Sequence, residues 1–171
     1  MNTNLTTAED LAAAIVKRGE SSRFVVETMA IMASGKANLA RKVTIGDLFE
    51  IENAIFASAY AIDDAAAKSL TRHIFAPGLY VRELTIPEGM LLTGAIHKTE
   101  HVSIMASGDI SILTVDGMKR MTGVTTVPTV PGVKRIGYAH KTTIWMDVHV
   151  NPTDERDEQK LWDMFYHNKH E

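Results

Sequence analysis

None of the 171 residues is cysteine, so disulfides, thiolate metal sites and thiol nucleophiles are excluded. That absence leaves the redox compartment undecided. Long apolar runs are missing too: no stretch reaches the roughly 18 residues that a bilayer-spanning helix needs. An excess of positive charge is also lacking, since 18 Lys and Arg stand against 21 Asp and Glu, a net charge of −3. Nothing therefore draws the chain toward nucleic acid or an anionic membrane, and neither is expected as a partner. The first residues carry no basic region followed by an apolar stretch, so no secretory signal is expected and the expected location is the cytoplasm. A G-x-S-x-G elbow, a P-loop and a dinucleotide-binding glycine pattern are all absent, which sets aside the common hydrolase, nucleotide triphosphatase and dehydrogenase classes.

What is present divides into two periods. Residues 1–76 read as helical. Thr7 and Asp10 resemble a capping arrangement ahead of Leu11, Ala14 and Ile15 on one helical face. Phe24, Val25, Met29 and Met32 form a second stripe that ends near Gly35, and Thr44 with Asp47 opens a third, carrying Leu48, Ile51, Ile55 and Phe56. These Met and Phe stripes read as helix packing or a dimer contact rather than a ligand groove.

At Ala76, Pro77 and Gly78 the pattern changes. Alternating runs follow at 79–85, 90–97, 101–106, 109–115, 118–121, 124–127, 133–139 and 142–150, with turn signals at Pro87–Gly89, Ser107–Gly108, Asp116–Gly117 and Pro131–Gly132. Eight short strands with tight connections predict an antiparallel barrel over 77–151, and a jelly roll has that strand count. Residues 152–171 then read as a terminal helix and tail. Asp154, Glu155, Asp157 and Glu158 lie in its first turns, and Leu161, Trp162 and Phe165 form its apolar face. The expected fold is thus α+β, mainly β.

Gly89, five residues, Ala95, Ile96, His97, three residues, His101, six residues and Gly108 follow one another in that order. This resembles the first cupin motif at its own spacing, with Ala95 where the motif has a histidine and His101 where it has a glutamate. The second cupin motif can be laid on the chain in two registers. In one, Gly132 is the motif glycine, Arg135 falls on the histidine and Ala139 on the asparagine. In the other, Gly137 and His140 satisfy G-x-x-H, but Arg135 and Ile144 replace the proline and asparagine. The stretches 73–80 (HIFAPGLY), 97–101 (HKTEH) and 134–140 (KRIGYAH) are similar to small tailed-phage proteins of cupin type. That resemblance implies a phage origin, in the host cytoplasm or on the virion, and brings no activity with it.

Cupin metalloenzymes hold Fe, Mn, Zn or Ni on imidazoles and a carboxylate, so the resemblance implies a divalent metal on His97 and His101, with His140 third in the second register. Glu100 is a candidate carboxylate ligand, but neighbours on a strand point to opposite faces, so it and His101 are not expected to serve together. In the first register Arg135 enters the pocket and favours a small anion, with His97 or His101 as acid or base and Tyr138 lining the ligand. His149 reads as an ordinary strand position among Met146, Val148 and Val150, and His73, His167 and His170 are assigned nothing. Tyr80 can line the barrel or pack as core.

Three classes stay open. The leading one is a binder of a small anionic or polar molecule, such as a host nucleotide signal. Beside it stand a metal-dependent lyase, isomerase or dioxygenase, and an assembly protein with the barrel as scaffold. The helical stripes exceed what a barrel edge needs, so a homodimer or larger homo-oligomer is expected. Light scattering at about tens of micromolar chain should return the mass of a dimer or more. A monomer mass would overturn this expectation.

Overall fold

Thr44 and Asp47 cap each other. The Asp47 carboxylate accepts from Thr44 N at 2.7 Å, and Asp47 N donates to Thr44 Oγ1 at 3.2 Å. This reciprocal pair satisfies donors that a helix start leaves free, and it fixes where the helix begins. Arg41 adds a fork on Asp47 at 2.6 and 2.8 Å. The computed structural model describes residues 23–36, 39, 41–57 and 64–167. The helix expected after Thr7 lies outside them, as does His170.

Two helices, α1 (Arg23–Ser34) and α2 (Ile45–Ala57), bury most of the expected stripes, while Phe56 stays exposed near the end of α2. Val25, Met29, Met32, Leu48, Ile51 and Ile55 pack together with Leu113, Ile136 and Tyr138 of the sheet. A short helix, α3 (Asp64–Ser69), leads into seven strands: β1 (Thr71–Ala76), β2 (Leu79–Ile86), β3 (Leu91–Thr93), β4 (His101–Thr114), β5 (Gly117–Thr122), β6 (Thr125–Thr129) and β7 (Ile136–Val150). The helix α4 (Glu158–Phe165) follows, with Asp157 as its cap on Lys160 N.

Every strand pairing is antiparallel. The path runs β1-β2-β7-β4-β5, with β3 added to β7 and β6 to β4. The α+β, mainly β class read from the sequence is the one observed. The strand count differs, seven rather than eight, for two physical reasons. Runs 101–106 and 109–115 are one strand, β4, and runs 133–139 and 142–150 largely merge into β7. Turn chemistry at Ser107–Gly108 is instead a bulged stretch, where the β4–β7 register shifts between Met105 and Ile110. One strand is gained as well. Residues 71–76, expected at the end of the helical region, pair with β2, and Pro77–Gly78 is the turn of that hairpin.

Three apolar clusters result. The helical one lies against the outside of the sheet. A second fills the barrel with Ile86, Met105, Ile110, Met121, Ala139 and Trp145. The third closes one end, where Tyr80 meets Leu161, Phe165 and Tyr166.

The bulge dictates one residue identity. Gly108 has φ +117°, and a Cβ there would stand 2.6 Å from Thr143 Cα across the strand pair. Both the conformation and the contact exclude a side chain. Gly108→Ala should therefore cost about 2–4 kcal/mol in urea unfolding, combining backbone strain with overpacking. A loss under about 0.5 kcal/mol, the size of an ordinary surface substitution, would show that the bulge does not constrain the barrel.

Candidate metal and ligand site

Side chains alternate along β7, and that alternation sorts the polar residues. Gly137, Ala139, Trp145, Asp147 and His149 face the interior, while Ile136 and Tyr138 face the helices. Met146, Val148 and Val150 face outward, with Val150 68% exposed. His149 is wholly buried. The sequence reading took it for an ordinary strand position; the structure places it in the middle of a histidine cluster.

His97 and His101 flank the turn at 98–100, and both are buried. Their rings stack at 3.9 Å between centroids, and His149 lies 4.8 Å from His101 and 5.3 Å from His97. One nitrogen from each of the three lies within 4.8 Å of the others. The chain holds this cluster from two directions. Gly132 N donates to His97 O at 3.0 Å, and Lys98 N donates to O of Phe165, the last residue of α4, at 2.8 Å. Phe165 stacks on His149 at 4.3 Å and Tyr166 leans on His97 at 4.6 Å. Glu100 is exposed, as its place beside His101 on the strand requires.

Asp147 supplies the charge. Its Oδ1 accepts from Ser103 Oγ at 2.7 Å and from Trp145 Nε1 at 3.0 Å, and His101 Nε2 lies 3.5 Å away. Its other oxygen is 3.9 Å from His97 Nε2. Burial alone would raise its pKa. Hydrogen bonding with His101 and Ser103 and the nearness of His97 outweigh that and hold the carboxyl well below the usual range. Arg135 lies in the same cavity and donates to Thr129 Oγ1 at 2.6 Å, and Thr129 meets Ser103 at 3.2 Å.

His140 is not in this site. It pairs with Ser111 Oγ at 2.8 Å and sets its ring edgewise on Tyr138, on the helical side of β7. The register that made His140 a third ligand therefore fails: it lies an odd number of residues from the inward Asp147, and alternation turns it outward. Tyr138 is likewise withdrawn from the ligand-lining set, because it packs against the helices. Tyr80 does enter the interior, between His73, His149 and Phe165.

Asp147, Arg82 and Tyr166 were not singled out in the sequence, and His149 was not assigned to the site. For Asp147 and His149 a signal was available in the alternation Trp145, Asp147, His149. Arg82 is the partner of Asp147 across β2 and β7, and Tyr166 depends on where the final helix docks.

Several polar atoms here are orphaned. His97 Nδ1, both ring nitrogens of His149 and Tyr166 Oη are buried without a hydrogen-bond partner among the described residues. Each such group costs about 1–3 kcal/mol unless something fills it. Burial, opposed by Asp147, pushes His97 down to about 3; burial with His101 nearby pushes His149 down to about 4. Both are neutral at pH 7, the form in which imidazole donates a lone pair to a metal.

No family model matches the chain, and no curated protein matches it. Among solved structures it is similar to a cupin-2 domain-containing protein from Shewanella frigidimarina, at 14% identity over 53% of this chain and 94% of that one, TM-score 0.40. It is also similar to ectoine synthase from P. lautus, at 15% identity over 54% of this chain and 69% of that one, TM-score 0.44. A cupin 2 domain-containing protein from Halorhodospira halophila gives 17% identity over 56% and 75%, TM-score 0.43.

The buried imidazoles set a pH dependence. In the unfolded chain they titrate near pH 6.5, roughly the model value, whereas the folded protein keeps them neutral to about 4 or below. Between those limits the unfolded chain binds more protons. Stability of the metal-free protein is therefore full above about pH 6.5 and falls as pH drops, by up to about 1.4 kcal/mol per pH unit for each ring. Urea midpoints from pH 8 to 4.5 should show this, with a shallower fall in His149→Phe. A flat profile down to pH 5 would mean that the rings are not buried neutral.

Proposed function

We propose that the barrel binds a small anionic or polar molecule beside a divalent metal held by His97, His101 and His149. The observation that carries this reading is the orphaned nitrogens: three buried rings converge, and both nitrogens of His149 meet no protein partner among the described residues. Ligand nitrogens around a tetrahedral metal stand roughly 3.4 Å apart, from bond lengths near 2.1 Å, so modest ring rotations would bring the three donors together. Nitrogen donors with a carboxylate nearby suit Zn, Fe, Mn or Ni. Asp147 orients His101 and balances charge, and its oxygen near His97 is the nearest carboxylate for a fourth position.

The depressed titration of His97 supports one of two roles. A ring that stays neutral to about pH 3 is a poor proton carrier at neutral pH and a good lone-pair donor. A bound metal would supply Lewis acidity toward an oxygen of the bound molecule. The half-buried guanidinium of Arg135, which donates to Thr129, would orient an anion there. The size of the cavity favours a molecule smaller than a nucleotide. The cavity is about 70 Å³, whereas pockets for drug-sized ligands run to about 300–1,000 Å³.

Chelator-stripped, untagged protein dialysed against zinc or nickel should take up one equivalent per chain. His149→Ala, His97→Ala and His101→Ala should each weaken uptake at least tenfold, about 1.4 kcal/mol, with fold checked by circular dichroism. Unchanged uptake in the triple variant would overturn the metal reading.

A further inference from the structure

The interior is built in layers, and the layers differ in chemistry. Tyr80 pairs with His149, Arg82 with Asp147, and Leu84 with Trp145, across β2 and β7. On β4, Ser103 extends the Arg82–Asp147 layer and Met105 the Leu84–Trp145 layer. Consecutive inward layers stand about 7 Å apart, two residues of strand. The cavity runs along this gradient. Arg82, His97, Arg135, Asp147 and Tyr166 line one end, and Leu84, Ile86, Leu92, Ile110, Ile112 and Trp145 line the other.

The polar end has an excess of positive charge. Asp147 is committed to Ser103, Trp145 and His101. Neither Arg82 nor Arg135 has a carboxylate within ion-pair distance among the described residues; Arg82 stands over the Tyr166 ring at 5.9 Å and Arg135 donates to Thr129. Two guanidinium groups against one carboxylate leave the cavity one unit positive, in a confined space with apolar walls. A half-buried charge in that setting calls for a counter-charge, and a guanidinium fork fits a carboxylate. At the apolar end Leu92 and Ile110 pack directly over Gly137, where a Cβ would meet Leu92 Cδ2 at 2.9 Å and Ile110 Cδ1 at 3.3 Å and push them into the cavity.

We infer that the ligand is a short carboxylic acid with an apolar tail, its head at Arg82 and Arg135 and its tail between Leu84, Ile112 and Trp145. A four-carbon acid spans roughly 5 Å from carboxylate oxygen to methyl carbon, and with its hydrogen bond to a guanidinium it bridges the strand repeat of about 7 Å between layers. This rests on the reading that the barrel is a small-molecule site and gives that molecule its class.

The test is calorimetry on the metal-loaded full chain with butyrate, butyramide, acetate, inorganic phosphate and adenosine monophosphate. Butyrate should bind at least tenfold tighter than butyramide, which lacks the charge, and than acetate, which lacks the tail. Arg82→Gln and Arg135→Gln should each weaken butyrate about tenfold, the equivalent of about 1.4 kcal/mol, and leave butyramide unchanged. Gly137→Ala should weaken butyrate and spare acetate; if it does not fold, Leu92→Phe fills the same space. Equal binding of butyrate and butyramide, tighter binding of phosphate or the nucleotide, or no binding by any probe would each overturn the inference. Cobalt absorption followed in parallel separates the two readings. Butyrate binding without a cobalt signal removes only the metal, and a cobalt signal without butyrate binding removes only the acid.

Discussion

The register of β4 against β7 is the constraint on which the interior depends. Ser103 sits opposite Asp147 and Val102 opposite Val148, and the Ser103–Asp147 hydrogen bond of 2.7 Å spans the pair. A slip of one residue would exchange the two faces. Val148 and Val150 would then enter the barrel, and Asp147 and His149 would leave it. The ionised carboxylate thus helps to fix a register in which it can be satisfied by Ser103, Trp145 and His101. The bulged stretch around Gly108 lets the same two strands stay paired while they bend, so the lower half of β7 still presents Gly137 and Ala139 inward.

That constraint explains what could be read from the sequence and what could not. The spacing of Gly89, His97, His101 and Gly108 was legible because it encodes local events, a turn at Gly89, a bulge at Gly108 and a short turn between two histidines that aim inward. The choice between Arg135 and His140 was not local. It needed the pairing of 136–138 with β3 and β4, which sets which parity faces the cavity. His149 was misjudged because apolar alternation ordinarily marks the buried face, and here Met146, Val148 and Val150 lie on the outer one. A polar interior inverts the rule. β1 was lost for a related reason, since His73 and Phe75 make sense as inward residues only once Tyr80 is opposite Phe75.

The helical layer takes part in placing the site through one buried ion pair. Lys134, 4% exposed, donates to Glu52 of α2 at 2.5 Å and to Gly94 O at 2.8 Å, and Thr93 Oγ1 donates to the same Glu52 oxygen at 2.8 Å. Gly94 directly precedes Ala95, and Lys134 directly precedes Arg135. Gly94 N closes the link on Arg135 O at 3.0 Å. A pair buried this deeply adds little net stability over an apolar substitute, because desolvation offsets the attraction. Its consequence is positional: two segments distant in sequence are held side by side, and the guanidinium of Arg135 is delivered to the cavity rather than to the helical face.

Charge then couples the two halves of the proposed site. With Asp147 ionised and the imidazoles of His97 and His149 neutral, a divalent cation would enter a cavity already one unit positive. Because those two rings are unprotonated, metal binding need not displace protons from them. The opposing charge is that of Arg82 and Arg135, and an anion seated on them removes it. Metal and anion therefore favour each other, and by linkage each raises the affinity of the other by the same factor. The positive charge of Arg135 lowers the affinity of the cavity for a bare cation, and in the proposed site it would raise the affinity for a cation that arrives with, or awaits, a carboxylate. A cavity weakened in this way as a simple metal centre would gain selectivity for the metal together with its ligand.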